Sequence, residues 1–233
     1  MAKSLSICLL HYNRVSALRK HVALWQSYPD TIKRNVRFII IDDGSRPALE
    51  PVDFDFSSID VHAYRIHEDI LWNIGGARNL AAHVAQTKWI LIQDSDVFIS
   101  GTILSSIRRI CRWDLRCRTI YKFGRINPLS GRDSPHPGTM LLPRDLYWEV
   151  GGCDEDFVGH YGFTDVHFFR QRVASTPRTK VKVLSRIKLT EDGVGSTRGL
   201  NRSNSRNESL YHEKVLNQSW SRDHLRFTWS RIF

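Results

Sequence analysis

Two aspartates one residue apart, Asp94-Ser95-Asp96, stand just after the apolar run Trp89-Ile90-Leu91-Ile92. A short apolar run of this kind reads as a buried strand. In an open α/β sheet, ligands bind outside the carboxyl ends of strands. Paired carboxylates there offer hard oxygen ligands to Mn²⁺ or Mg²⁺. A cation so held would neutralise a diphosphate leaving group as a Lewis acid. A second acidic pair, in Asp42-Asp43-Gly44-Ser45, closes the run Val36-Arg37-Phe38-Ile39-Ile40-Ile41. Asp42 or Asp43 could accept a hydrogen bond from a nucleobase N–H or a ribose hydroxyl, and the same residues suit an Asx-type turn. Gly75-Gly76-Ala77-Arg78-Asn79 opens a helix. Its glycines and helix N-terminus suit phosphate, with Arg78 as an added cation. It is neither a P-loop nor a dinucleotide fingerprint, since no Gly-Lys-Ser/Thr follows and no GxGxxG follows a strand. His136, just before Gly138, is a candidate for approach to a bound ligand. Gly193-Val194-Gly195 looks like a phosphate loop but lies in a polar stretch without element signals.

Positioning these groups requires several parallel strands ending at one edge. Leu5 to Leu10 reads as a buried strand, and a helix follows from about Arg14, with Val15, Leu18, Val22 and Trp25 at helical spacing before Pro29. Val36–Ile41, Asp60–Ile66 and Trp89–Ile92 read as further strands, and Gly76–Gln86 as a helix. Strands alternating with helices imply a mainly parallel, helix-covered sheet, an α/β fold. Later elements are a helix over Thr102–Arg112, a strand over Arg118–Phe123, a short strand at Met140–Leu142, and helices over Pro143–Val150, Thr164–Val173 and Glu208–Leu216. Residues 124–138, rich in Gly, Pro, Ser and Asn, read as a long loop, and 190–207 as a flexible polar segment. The expected organisation is one domain over residues 1–218 and a basic, aromatic tail over 219–233.

The 233 residues are 41% hydrophobic and 25% charged, ordinary for a soluble α/β domain. No run of about 18 apolar residues occurs, which argues against a membrane span. The N-terminus lacks a signal-peptide cleavage pattern, so the chain reads as cytosolic. Cys8, Cys111, Cys117 and Cys153 form no metal-binding spacing and read as reduced thiols. The net charge of +10 calls for an anionic partner without naming it. The tail, with Trp220, Arg222, Arg226, Phe227, Trp229 and Arg231, suits peripheral contact with a membrane surface or packing on the domain.

Taken in order, these motifs resemble family 2 glycosyltransferases over roughly residues 4–175. Ser6-Ile7-Cys8-Leu9-Leu10-His11-Tyr12-Asn13-Arg14 is similar to the family's opening strand, Ile41-Asp42-Asp43-Gly44-Ser45 to its DDGS motif, and Trp72–Asn79 to its N-x-G-x-A-R-N helix start. Asp94-Ser95-Asp96 takes the place of the DxD, and Gly151–Phe157 resembles GGFDE-x-F. The resemblance implies a GT-A fold and a nucleoside diphosphate sugar donor, such as a UDP-sugar. It implies donor contacts from Tyr12, Asn13, Arg14, Asp42 or Asp43, Gly76, Arg78, Asp94 and Ser95, and Mn²⁺ or Mg²⁺ on Asp94 and Asp96. The acceptor it implies is a hydroxyl of a glycan or glycoconjugate. The family's Glu-Asp pair reads Thr164-Asp165 here. In inverting members that Asp is the catalytic base, which casts Asp165 in the role, with Asp154 and Glu155 as alternatives. Members often add a late metal ligand, for which Glu191, Asp192 and His212 are the candidates. Trp72, Tyr161 and Phe163 flank the proposed site as stacking faces.

Two other classes compete. A sugar-phosphate nucleotidyltransferase should carry a Gly-rich basic loop directly after the first strand, where His11-Tyr12-Asn13-Arg14 stands instead. A nucleic-acid-binding protein would account for the positive charge but leaves acidic motifs at strand ends unexplained, so no nucleic-acid partner is expected.

Overall fold

Leu5, Ile7 and Leu9 face one hydrophobic cluster, and Cys8 and Leu10 face another. Successive strand side chains point to opposite faces, so a run that is apolar at every position belongs to a sheet covered on both sides. In the computed structural model, which describes residues 3–114, 117–126, 131–186, 188–189 and 199–233, the elements run in this order: β1 (Leu5–His11), α1 (Val15–Gln26), α2 (Asp30–Lys33), β2 (Val36–Asp43), β3 (Val61–Ile66), α3 (Ile74–Val84), β4 (Trp89–Asp94), β5 (Val97–Phe98), α4 (Gly101–Trp113), β6 (Thr119–Ile126), β7 (Asp133–Pro143), α5 (Arg144–Glu149), α6 (Thr164–His167), β8 (Lys180–Arg186), β9 (Lys188–Leu189), α7 (Ser205–Asn217) and β10 (Trp229–Arg231).

Eight strands form one sheet in the order β10-β3-β2-β1-β4-β7-β6-β8. β3, β2, β1 and β4 are mutually parallel, and β7 runs antiparallel between β4 and β6. Helix α1 covers one face through Leu18, Val22 and Trp25, whose ring stacks on Phe38 at 4.7 Å. Helix α3 covers the other face through Leu80, Ala81 and Ala82. The crossovers on either side of β1 therefore lie on opposite faces, which opens a crevice at the carboxyl ends of the central strands. Register brings the two acidic motifs together there: His11 pairs with Asp42 and Leu10 with Asp94.

The structure departs from the sequence expectation in several places. Residues 124–126 and 133–138 are extended, because β6 continues to Ile126 and β7 begins at Asp133. The helix expected over Thr164–Val173 is one α-turn followed by a π-helical stretch, Phe168–Val173. The C-terminal residues add an edge strand, β10, antiparallel to β3. Phe227 and Trp229 pack, partly buried, against one cluster and Ile232 and Phe233 against the other. Among the described residues, no helix is long and apolar enough to cross a membrane.

Candidate active site

A pocket of about 560 Å³ opens at the carboxyl ends of β1, β2 and β4. Its walls include Tyr12, Asp43, Arg78, Asp94, Ser95 and Asp165, six of the residues expected from sequence. Trp72, Tyr161 and Phe163 complete one side, with Trp72 edge-on to Tyr161 at 4.8 Å.

Arg78 organises the pocket. It lies on α3 with 1% of its surface exposed, and Nη1 donates to Asp165 Oδ1 at 2.6 Å. Nη2 stands 3.6 Å from Asp94 Oδ1. Burial opposes the charge of Arg78, but Asp165 and Asp94 outweigh it and hold the pKa above its ordinary value. One buried cation thus joins the candidate base to the candidate metal carboxylate. Gly138 makes the approach possible, since a Cβ there would overlap both Arg78 Nη2 and Asp94 Oδ2.

The turn after β4 is held from behind. His21 of α1 bonds the carbonyl of Ser95 at 3.0 Å, its ring stacked on Phe98 at 4.1 Å, and Gln93 Nε2 donates to the carbonyl of Val97. Arg14 Nη1 reaches Ser95 Oγ at 3.5 Å. Asp94, Asp96 and His136 each offer a potential metal-ligand atom, all within 4.8 Å of one another. Burial, then the charge of Asp94, raises Asp96 to about 6. Asp94 Oδ1 is buried without a hydrogen-bond donor. These features fit a divalent cation on Asp94 and Asp96. The His136 ring is anchored on one side. Its Nδ1 accepts the backbone N–H groups of Gly138 and Thr139 at 3.2 and 3.0 Å, which puts the proton of the neutral ring on Nε2. Burial keeps that ring neutral by lowering its pKa.

Several expectations are corrected. Asp42 is fully buried, its carboxylate accepts from Ser45 N, Leu49 N and Arg65 Nη1 at 3.1, 3.3 and 2.6 Å, and it does not line the pocket. Asp43 is the member of the pair that lines the pocket. Burial, with the nearby charges of Asp42 and Asp69, raises its pKa well above normal against a 2.8 Å bond from Asn73 Nδ2. Asn13 is a structural link: its N–H donates to Ser45 Oγ and its Oδ1 accepts from Arg46 N. Gly76 does not face the pocket, because Asn73 and the ring of Phe227 cover it. Asp154 and Glu155, the alternatives for the base, are buried in internal hydrogen bonds. His212 is exposed on α7, outside the Asp94 group. Glu191, Asp192 and Gly193-Val194-Gly195 lie outside the described residues.

The sequence reading passed over His21, Asn73 and Gly138. His21 falls on the buried stripe of α1, where a histidine looks like core. Asn73 opens the N-x-G-x-A-R-N motif, and no spacing rule ties it to Asp43.

A central parallel sheet with its acidic crevice between β1, β2 and β4 defines the class as a GT-A nucleotide-sugar transferase architecture. The sequence model for glycosyl transferase family 2 matches residues 6–151. The chain belongs to that family and carries a glycosyltransferase domain. No curated protein sequence gives a match. Among solved structures, S. aureus TarS 1-349 is similar at a TM-score of 0.61 and 16% identity, with 81% of this chain and 61% of that one covered. Its complex with UDP-GlcNAc gives 0.65 and 15%, covering 92% and 67%. The mannosyltransferase PcManGT from Pyrobaculum calidifontis, in complex with GDP-Man and Mn²⁺, gives 0.57 and 12%, covering 94% and 66%. This chain thus spans about three-fifths of the first of these structures.

Proposed function

We propose that the chain transfers a sugar, with inversion, from a nucleoside diphosphate sugar to a hydroxyl of a glycan or glycoconjugate, and that the donor is a UDP-sugar. The observation that carries this reading is the buried bridge Asp165–Arg78–Asp94 within one pocket. Asp43 and Tyr12 take the nucleoside. Asp94 and Asp96 hold Mn²⁺ or Mg²⁺, which when bound offsets the charge of the diphosphate leaving group. His136 donates through Nε2–H to a phosphate oxygen at the same centre. Asp165 takes the proton of the acceptor hydroxyl as that oxygen attacks the anomeric carbon from the face opposite the diphosphate. Arg78 fixes the position of Asp165 through the 2.6 Å bond from Nη1. Trp72, Tyr161 and Phe163 cover an apolar face of the sugars and exclude water.

The test is a thermal-shift screen of UDP- and GDP-sugars with and without Mn²⁺, followed by NMR of the anomeric product. Metal-dependent stabilisation by a nucleoside diphosphate sugar and an inverted product are expected. No stabilisation by any of them, or a retained configuration, contradicts the proposal.

A further inference from the structure

The positive charge of this chain is not spent at the catalytic pocket, and one concentration of it lies at the far end of the sheet. β6 runs parallel to β8 and, across β7, parallel to β4. The first residues of β6 and β8 therefore mark the edge opposite Asp94, about 20 Å away along the strands. A hollow of about 710 Å³ opens there, lined by Asp114, Arg118, Arg178, Lys180, Lys182 and Tyr121. Register explains the grouping. Thr119 pairs with Lys180 and Tyr121 with Lys182, so alternate residues of two adjacent strands turn to one face.

The cations of this hollow are largely unanswered. Asp114 is its only acidic lining residue among those described, and both its oxygens are engaged, one by Cys117 N at 3.2 Å and one by Tyr121 Oη at 2.9 Å. Arg118 is held by Glu149 and by the carbonyl of Pro177, which ties the two lips of the hollow together. Among the described residues, the side chains of Arg178, Lys180 and Lys182 have no hydrogen bond or ion pair. Both lips also contain a non-glycine residue in the left-handed region, Cys117 at φ 51° and Arg178 at φ 62°. Such conformations cost energy and persist where surrounding structure holds them. Three gathered cations without counter-charges repel one another, and a multivalent oxyanion relieves that repulsion.

We infer that this hollow is a second ligand site, for a molecule or lipid surface that presents two or more phosphate groups together, distinct from the donor pocket. It would hold the domain on a phosphate-rich ligand while the opposite edge performs transfer.

The test compares wild type with the triple variant Arg178→Ala/Lys180→Ala/Lys182→Ala, in chelator so that the acidic pocket holds no cation. Inorganic tripolyphosphate is titrated by calorimetry at low salt. In parallel, co-sedimentation is measured with phosphatidylcholine vesicles with and without phosphatidylglycerol. The inference expects wild type to bind at least one phosphate probe and the variant to bind it about a hundredfold more weakly. Tripolyphosphate binding alone marks a soluble ligand, and binding to phosphatidylglycerol vesicles marks lipid headgroups. The variant should keep the wild-type melting temperature and donor turnover, since the three side chains are exposed and remote from the pocket. Equal binding by both proteins, or no binding of either probe by wild type, overturns the inference.

Discussion

Asp94-Ser95-Asp96 and Asp154-Glu155-Asp156 are two acidic triplets on neighbouring elements of one domain. In the second, all six carboxylate oxygens are engaged. Asp154 accepts from Asp156 N and Ser221 N, both at 3.0 Å. Glu155 accepts from Asn79 Nδ2, Leu225 N and Arg226 N at 2.7, 2.8 and 3.0 Å. Asp156 meets Lys214 and Arg226, each at 2.6 Å. The triplet clamps the C-terminal segment to α3 and α7. In the first triplet, Asp94 Oδ1 is buried without a donor, and Asp96 is raised to about 6 by burial and then by its neighbour. A carboxylate whose oxygens meet protein donors stabilises the fold. One whose oxygens meet another carboxylate at a pocket is left for a cation. The difference lies in what surrounds the residues and not in their type.

Substitutions should separate the two triplets along different axes. Asp165→Asn, at the far side of Arg78 from Asp94, should lower turnover about 10²–10⁴-fold while leaving donor affinity largely intact. Steady-state kinetics beside calorimetry check this, and retained turnover removes Asp165 from the base role. Asp94→Asn should lower turnover by a similar order, through loss of metal-dependent charge stabilisation, with only a small fall in melting temperature, since buried Arg78 keeps its 2.6 Å partner Asp165. A large loss of stability would show instead that Asp94 serves the fold.

Glu155→Ala should do the reverse. It strands the donors Leu225 N and Arg226 N, each worth about 1–3 kcal/mol if left unsatisfied, and leaves Asn79 Nδ2 with the Cys153 carbonyl alone. A fall in melting temperature of roughly 6 °C or more is expected, with turnover per folded molecule retained. His167, beside this triplet, packs tilted against the Phe157 ring at 5.0 Å, and burial pushes it down to about 4. Neutral His167 is favoured in the fold, whereas the unfolded chain takes up a proton near 6.5. Stability is then full above about 6.5 and falls as pH drops towards 4, by a figure of order 3 kcal/mol. Denaturant unfolding of His167→Phe across that window should give a shallower slope. His11 and His21, also pushed to about 4 by burial, keep the remainder. The smallest effect belongs to Arg226→Ala at the exposed rim of the clamp, about 1 kcal/mol or less by chemical denaturation.

Much of this layout was legible before any coordinates. β1, β2 and β4 announce themselves because both their faces are buried, so the apolar pattern is unbroken. The motifs at their ends follow from that placement. β7 was hidden for the opposite reason. It pairs with β4 only from Met140 to Pro143, and its outer half pairs with β6 alone. Prolines survive at such edges, and Ser134-Pro135-His136-Pro137-Gly138 reads as loop. That misreading concealed how the extended strand carries His136 to Asp94. β10, at three residues, is too short to leave a pattern. The choice between Asp42 and Asp43 needed Arg65, Leu49 and Asn73, which lie on other elements.

The central claim is that Asp94 and Asp96 hold a divalent cation against the donor diphosphate. It is tested most directly by titrating UDP into wild type and Asp96→Asn by calorimetry, each with Mn²⁺ and with chelator. The account predicts that Mn²⁺ tightens UDP binding by wild type and that Asp96→Asn loses this dependence. Equal UDP affinity with and without Mn²⁺ in wild type, or undiminished metal dependence in Asp96→Asn, would contradict it.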